Sequence, residues 1–194
     1  MNLRVFFPFL VALIPIFLFS DVVYCLDLEK VDVYVDKEYL NIKIWGQGEF
    51  PKDFEKMIKN NMDFKVIVSV KILRRDFKPL NIVTEVTNYR IVRQISYDLV
   101  TEKFLVFDGI RFRLASSLEE VPKNIFPLVI RQKISDLKEL PDLSTIYDDT
   151  DFVVVAKMRI SSLELRPPLS IIASILNLGG WEGREMYSEP FLIR

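Results

Sequence analysis

A chain of 194 residues with 26 Lys+Arg, 27 Asp+Glu and a net charge of −1 lacks the basic excess of a dedicated nucleic-acid binder. Histidine is absent and cysteine occurs once, as Cys25. This excludes His-based zinc sites, Ser–His and Cys–His nucleophiles, and an intrachain disulfide. No G-x-x-x-x-G-K-[ST] or G-x-G-x-x-G phosphate cradle occurs, so no cofactor is expected.

The first segment reads as an export signal. Arg4 gives it a positive start, Val5 to Phe19 is apolar but for Pro8 and Pro15, and Ser20-Asp21 ends the run. An apolar run of about 15 residues suits a signal peptide, whereas a spanning helix needs about 20. Residues 1–25 are therefore assigned to the signal, with cleavage after Ser20 or after Cys25 as the two alternatives; an uncleaved anchor and a lipid-modified Cys25 are the others. Residues 26–194 are expected to form one mostly β domain in the periplasm or elsewhere in a bacterial cell envelope.

Downstream, Val31, Val33 and Val35 alternate with Asp32 and Tyr34, and Leu40, Ile42 and Ile44 with Asn41 and Lys43. This period predicts two half-buried strands joined at Asp36-Lys37-Glu38, the second stopped by Gly46 and Gly48. Pro51 suits the first turn of a short helix with Phe54, Met57 and Ile58 as its stripe. Val66, Val68, Val70 and Ile72, set against Lys65, Ser69 and Lys71, predict the clearest strand, and Ile82 to Tyr97 a longer, less regular one. Phe104 to Phe107 is another. Asp108-Gly109 is the strongest hairpin signal, its return strand read as Ile110, Phe112 and Leu114 against Arg111 and Arg113.

Ser116 and Ser117, three residues before Glu119 and Glu120, make overlapping capping boxes for a short helix. Pro127 to Leu140 is ambiguous: Ile130, Ile134 and Leu137 have helical spacing, and Pro141 ends it. Phe152, Val154, Ala156, Met158 and Ile160 then alternate with Lys157 and Arg159 in a late strand. The expected class is mainly β: an antiparallel β-sandwich or strongly curved sheet with roughly two to four short helices.

Pro167-Pro168 and Gly179-Gly180 bracket a helix over 168–178. At about 100° per residue, Leu169, Ile171, Ile172, Ile175, Leu176 and Leu178 share one half, and uncharged Ser170, Ala173, Ser174 and Asn177 the other. Two roles are open. The helix either packs on the sheet, or serves as an interaction helix, through Leu169, Ile172, Ile175 and Leu176, for a partner or a loosely packed lipid surface. Burying six large aliphatic side chains is worth about 9–18 kcal/mol, which weights the first role.

At Ile95-Ser96-Tyr97-Asp98-Leu99-Val100-Thr101-Glu102-Lys103-Phe104 the chain shows an aliphatic-x-Tyr-x-Leu-x-Thr-x-x-aromatic hairpin. Ser117-Leu118-Glu119-Glu120-Val121 follows, then Met158-Arg159-Ile160 through Leu163, Pro167-Pro168-Leu169, and Trp181 before a terminal strand. In this order, behind an export signal, the chain resembles the exported bacterial proteins grouped as domain of unknown function family 4390, over most of residues 26–194. It departs from that pattern at Leu73-Arg74-Arg75 and Phe191-Leu192-Ile193, where the family has tryptophans. The resemblance implies no catalytic residues. It implies encoding near a membrane sensor kinase, and so an envelope sensing or regulatory setting.

Carboxylates are the remaining acid–base groups. Asp148, Asp149 and Asp151 lack the alternating spacing and glycine of an EF-hand loop, so they read as a solvated turn and no metal is assigned. Lys71, Arg74, Arg75, Arg111 and Arg113 are candidates for a basic face toward lipid headgroups, cell-wall anions or an acidic partner; an ordinary wetted sheet face is the alternative. Trp45, Tyr89 and Tyr97 read as core or sheet residues. The functional expectation is a non-catalytic binding or regulatory module for another envelope protein or membrane-associated component, with peripheral membrane contact compatible and nucleic acid excluded. Its rivals are a carrier or sensor holding an apolar ligand between the sheet and the 168–178 helix, and a carboxylate-dependent hydrolase.

Overall fold

The period-two segments pair as antiparallel strands because each has one apolar face to bury. The computed structural model describes residues 26–50, 52–76, 82–138, 150–162 and 181–193. Within them lie β1 (Asp27–Asp36), β2 (Tyr39–Gln47), β3 (Phe64–Asp76), β4 (Ile82–Asp98), β5 (Lys103–Phe107), β6 (Phe112–Ala115), β7 (Leu128–Lys133), β8 (Thr150–Ser162) and β9 (Trp181–Tyr187). The helices are α1 (Lys52–Lys59), α2 (Val121–Ile125) and α3 (Ile134–Lys138), with a 3-10 turn at Leu118–Glu120 leading into α2. One sheet has the order β1-β2-β7, the other β6-β5-β4-β3-β8-β9. Among the described residues no helix is long and apolar enough to cross a membrane.

Val66, Val68, Val70 and Ile72 of β3 share one core with Val154, Ala156, Met158 and Ile160 of β8 and with Leu40, Ile42 and Ile44 of β2. Helix α1 closes an end of this core. Its Phe54 and Ile58 are buried, and the Phe54 ring lies 3.9 Å from Phe64 and 4.7 Å from Phe50. The two sheets are tied through both edge strands of the smaller one, β1 and β7. At one, Arg184 Nε lies 3.7 Å from the Asp27 carboxylate, and β9 approaches β1 so closely that a Cβ on Gly183 would come within 2.6 Å of Asp27 Oδ1. At the other, the Tyr89 hydroxyl of β4 donates to Gln132 Oε1 of β7. Burial pushes the Tyr89 phenol up from its ordinary pKa, which keeps it a donor.

Several local expectations are corrected. Strand β2 ends where expected at Gly48, which takes φ +108, and runs through Gly46 to Gln47. Gly46 is required there because the Phe126 ring would lie 2.4 Å from a Cβ at that position. The ambiguous segment from Pro127 divides into two elements: Leu128–Lys133 pairs with β2, and Ile134–Lys138 is helical. Leu128 and Ile130 are buried at alternate positions, so the strand period wins where an edge of β2 awaits a partner. Neither capping box forms at its three-residue spacing. The Glu120 carboxylate accepts from the Ser116 N–H at 2.8 Å, but Ser117 makes no side-chain cap bond and the first turn is 3-10.

The β5–β6 hairpin bends at Gly109, which takes φ +97. Asp108 N–H donates to the Arg111 carbonyl at 3.2 Å, and the Asp108 carboxylate accepts from the N–H groups of Ile110 and Arg111, both at 3.0 Å. The return strand therefore starts at Phe112, and Ile110 belongs to the turn. With Phe104 opposite Ala115 and Val106 opposite Arg113, the buried face of β5 continues onto Ala115. Phe112 and Leu114 then fall on the outer face, because alternate residues of a strand point to opposite sides. Arg113 is held on the inner side, where it donates to the Asn124 carbonyl at 3.1 Å. Pro51, the 168–178 helix with Leu169, Ile172, Ile175 and Leu176, and the acids Asp148 and Asp149 lie outside the described residues.

Candidate functional site

The outer face of the six-stranded sheet carries two features that the core does not use. At its β6 edge, Ile110 is 92% exposed, Phe112 62% and Leu114 56%. Phe112 and Leu114 share the outer face of β6, and Ile110 stands in the turn just before them. Phe112 sits opposite Phe107 and stacks on it with ring centroids 4.6 Å apart, and Leu114 sits opposite Leu105. The Asn124 side-chain amide donates to the Leu114 carbonyl at 3.1 Å, so the backbone edge is partly covered while the side chains are not. Scattered exposed apolar residues are ordinary, whereas contiguous apolar patches are the ones associated with interaction sites.

Further along the same face, Ser69 at the middle of β3 stands opposite Arg90 of β4 and Lys157 of β8. Arg159 of β8 stands opposite Ile67, one row on. Together with Glu182 of β9 these residues line a shallow depression of about 340 Å³. The Lys157 ammonium is 3.0 Å from Glu182 and 3.8 Å from Glu185. The guanidinium groups of Arg90 and Arg159 make no hydrogen bond or ion pair with any described residue.

The five basic residues expected on one face are divided by the register. Lys71 and Arg75 fall on the outer face of β3, whereas Arg74, opposite Phe152 and Thr84, falls on the inner one. Lys71 is committed to Glu85 at 2.6 Å. Arg111 and Arg113 sit at the far hairpin, 3.5 Å and 3.9 Å from the Asp108 carboxylate. The cations that do gather, Arg90, Lys157 and Arg159, come from two strands separated by more than sixty residues in the chain, roughly a hairpin and a crossover apart. Their only sequence signal is an outward position on separate strands. Trp45, expected in the sheet, is in it; its indole N–H donates to Asp32 at 3.0 Å under the Lys43 ammonium. Tyr97 packs edge-on against Phe104.

Asp32, Glu85, Asp98 and Asp108 all sit below the ordinary carboxylate pKa range. Asp32 is held there first by the Lys30 ammonium, Glu85 by the Asn88 amide and then Lys71, and Asp98 by the Thr101 hydroxyl. The backbone N–H groups of Arg111 and Ile110 do the same for Asp108. Groups lowered in this way stay ionised at neutral pH and make poor general acids. Asp151 stands in register with Arg75, and no group of three metal-ligating side chains occurs among the described residues.

These lowered values have a stability consequence. Each group favours the folded state above its unfolded pKa, about 4, and that contribution is lost as pH falls through the lower folded-state value. The urea midpoint is expected to be flat near neutrality and to fall below about pH 4. Asp108→Asn should shallow that fall; an acid limb identical to that of the wild type would show that the hairpin carboxylate is not linked to folding.

No family model matches the chain, and neither a curated protein nor a solved structure matches it.

Proposed function

We propose that the chain is an exported, non-catalytic binding module of the cell envelope that docks another envelope protein on the outer face of its β5–β6 hairpin. The observation that carries this reading is the exposed row Ile110, Phe112 and Leu114, on a hairpin whose other face buries Phe104 and Val106. Leaving three such side chains in water forgoes about 4.5–9 kcal/mol, which burial against a partner recovers. Arg111 beside the row has a side chain 71% exposed. Arg111 already lies 3.5 Å from the Asp108 carboxylate, so the complementary partner is a protein surface that is apolar at its centre and polar at its rim. The signal-like segment at 1–25 supports export, and the resemblance to family 4390 supports a sensing or regulatory setting.

The rivals have less support. A hydrolase needs a carboxyl group with a raised pKa, and the shifted carboxylates among the described residues all move down. The carrier reading places its ligand against the 168–178 helix, which lies outside the described residues, and the depression over β3 is walled mainly by charged side chains.

With a photoreactive residue in place of Ile110, intact envelopes should yield a discrete cross-linked species. Adding Phe112→Asp and Leu114→Asp should abolish it while the urea midpoint stays near that of the parent. Cross-linking that survives both substitutions would overturn the docking role. Separately, mass spectrometry of the envelope protein should find an N-terminus following Ser20 or Cys25, and an intact Met1 would refute cleavage.

A further inference from the structure

The depression over β3 is built differently from the rest of the sheet face. Adjacent strands lie about 4.8 Å apart, so the backbones bearing Arg90 and Lys157 are roughly 10 Å apart across Ser69. Serine is short, and the gap between the two long cations stays open above it. Arg159 adds a third cation from the next row. Glu182 stands opposite Arg159 on β9 and Glu185 opposite Lys157, and both carboxylates reach the Lys157 ammonium, so Arg90 on the β4 side is the cation with no acidic cross-strand neighbour among the described residues.

We propose that this depression binds a phosphate group. A tetrahedral oxyanion seated over Ser69 presents oxygens to Arg90 on one wall and to Arg159 and Lys157 on the other, with the Ser69 hydroxyl donating from the floor. Guanidinium groups are suited to this role because their planar forks bind phosphate oxygens in pairs. At about 340 Å³ the depression has room for more than the bare anion, so the fitting ligand is a phosphate ester. Glu182 works against the anion, and its pairing with Lys157 limits the positive charge on the β9 side. The site is separate from the hairpin row and stands whether or not that row docks a protein.

The test uses two probes on the full chain: inorganic phosphate, followed by backbone amide shifts from Ile67 to Lys71, and phosphatidylglycerol vesicles, followed by co-sedimentation against phosphatidylcholine vesicles. Phosphate should shift the Ser69 amide saturably. Arg90→Gln and Arg159→Gln should each weaken that binding about tenfold or more, the loss expected for a charge-assisted hydrogen-bond pair. Ser69→Leu should abolish it by filling the floor without changing the charge, and Glu182→Gln should strengthen it. Vesicle binding lost in the same variants would identify the source as a lipid headgroup. Phosphate binding without vesicle binding would identify a soluble phosphate ester. No shift at saturating phosphate, or equal affinity in wild type and both arginine variants, would overturn the site.

Discussion

Phe104→Ala is expected to lower the unfolding free energy by about 3–5 kcal/mol, while Phe112→Ala on the paired strand should change it by about 1 kcal/mol or less. Both are phenylalanines of one hairpin, and their intrinsic strand preferences are the same. Phe104 is 2% exposed and packs against Tyr97 at 5.0 Å, so its removal leaves a cavity that neighbours fill only in part. Phe112 loses its stacking on Phe107, and little else, because water already covers most of it. Equilibrium urea unfolding of the two variants measures both numbers. A Phe112→Ala loss as large as that of Phe104→Ala would mean that β6 is registered one residue away from this pairing, since a one-residue slip exchanges its two faces.

The second large effect is expected at Gly46. Its Cβ would lie 2.4, 2.5 and 2.7 Å from three carbons of the Phe126 ring. Phe126 is itself buried, so the ring has little room to move away. Gly46→Ala should destabilise by about 1–3 kcal/mol through overpacking. The mechanism is checked by a double-mutant cycle. In a Phe126→Ala background the same substitution should be neutral or mildly stabilising, because alanine is the better strand residue once the ring is gone. Additive losses in the double variant would rule out the ring contact as the cause.

Much of the fold was legible from alternation alone. Val66 to Ile72 and Phe152 to Ile160 each specify a strand with one apolar face, and both are buried where that pattern requires. The hairpin at Asp108-Gly109 was legible from turn chemistry, since a positive φ favours glycine and a neighbouring carboxylate can satisfy the turn's N–H groups. The end of β2 at Gly48 was legible, but the place of Gly46 within the strand was not. Gly46 looks like punctuation until Phe126, distant in the chain, is seen to occupy the space a side chain would need. The strand at Leu128–Lys133 was equally hidden, because Ile130, Ile134 and Leu137 suit a helix and only the open edge of β2 decides otherwise.

The candidate site shows the same division. By itself, the sequence determined the available chemistry: no histidine, a lone cysteine, and carboxylates and cations on alternating strands. It also determined a mainly β architecture, because a period of two allows little else. Only the tertiary structure decided which face of each strand meets the core and which side chains become neighbours. Alternation divides a strand into two faces without naming either as the inner one; for β6 the turn at Gly109 and the pairing of Phe104 with Ala115 made that choice. Arg90, Lys157 and Arg159 likewise converge only because β4 and β8 flank β3 in register, a relation of strand order that no local pattern encodes.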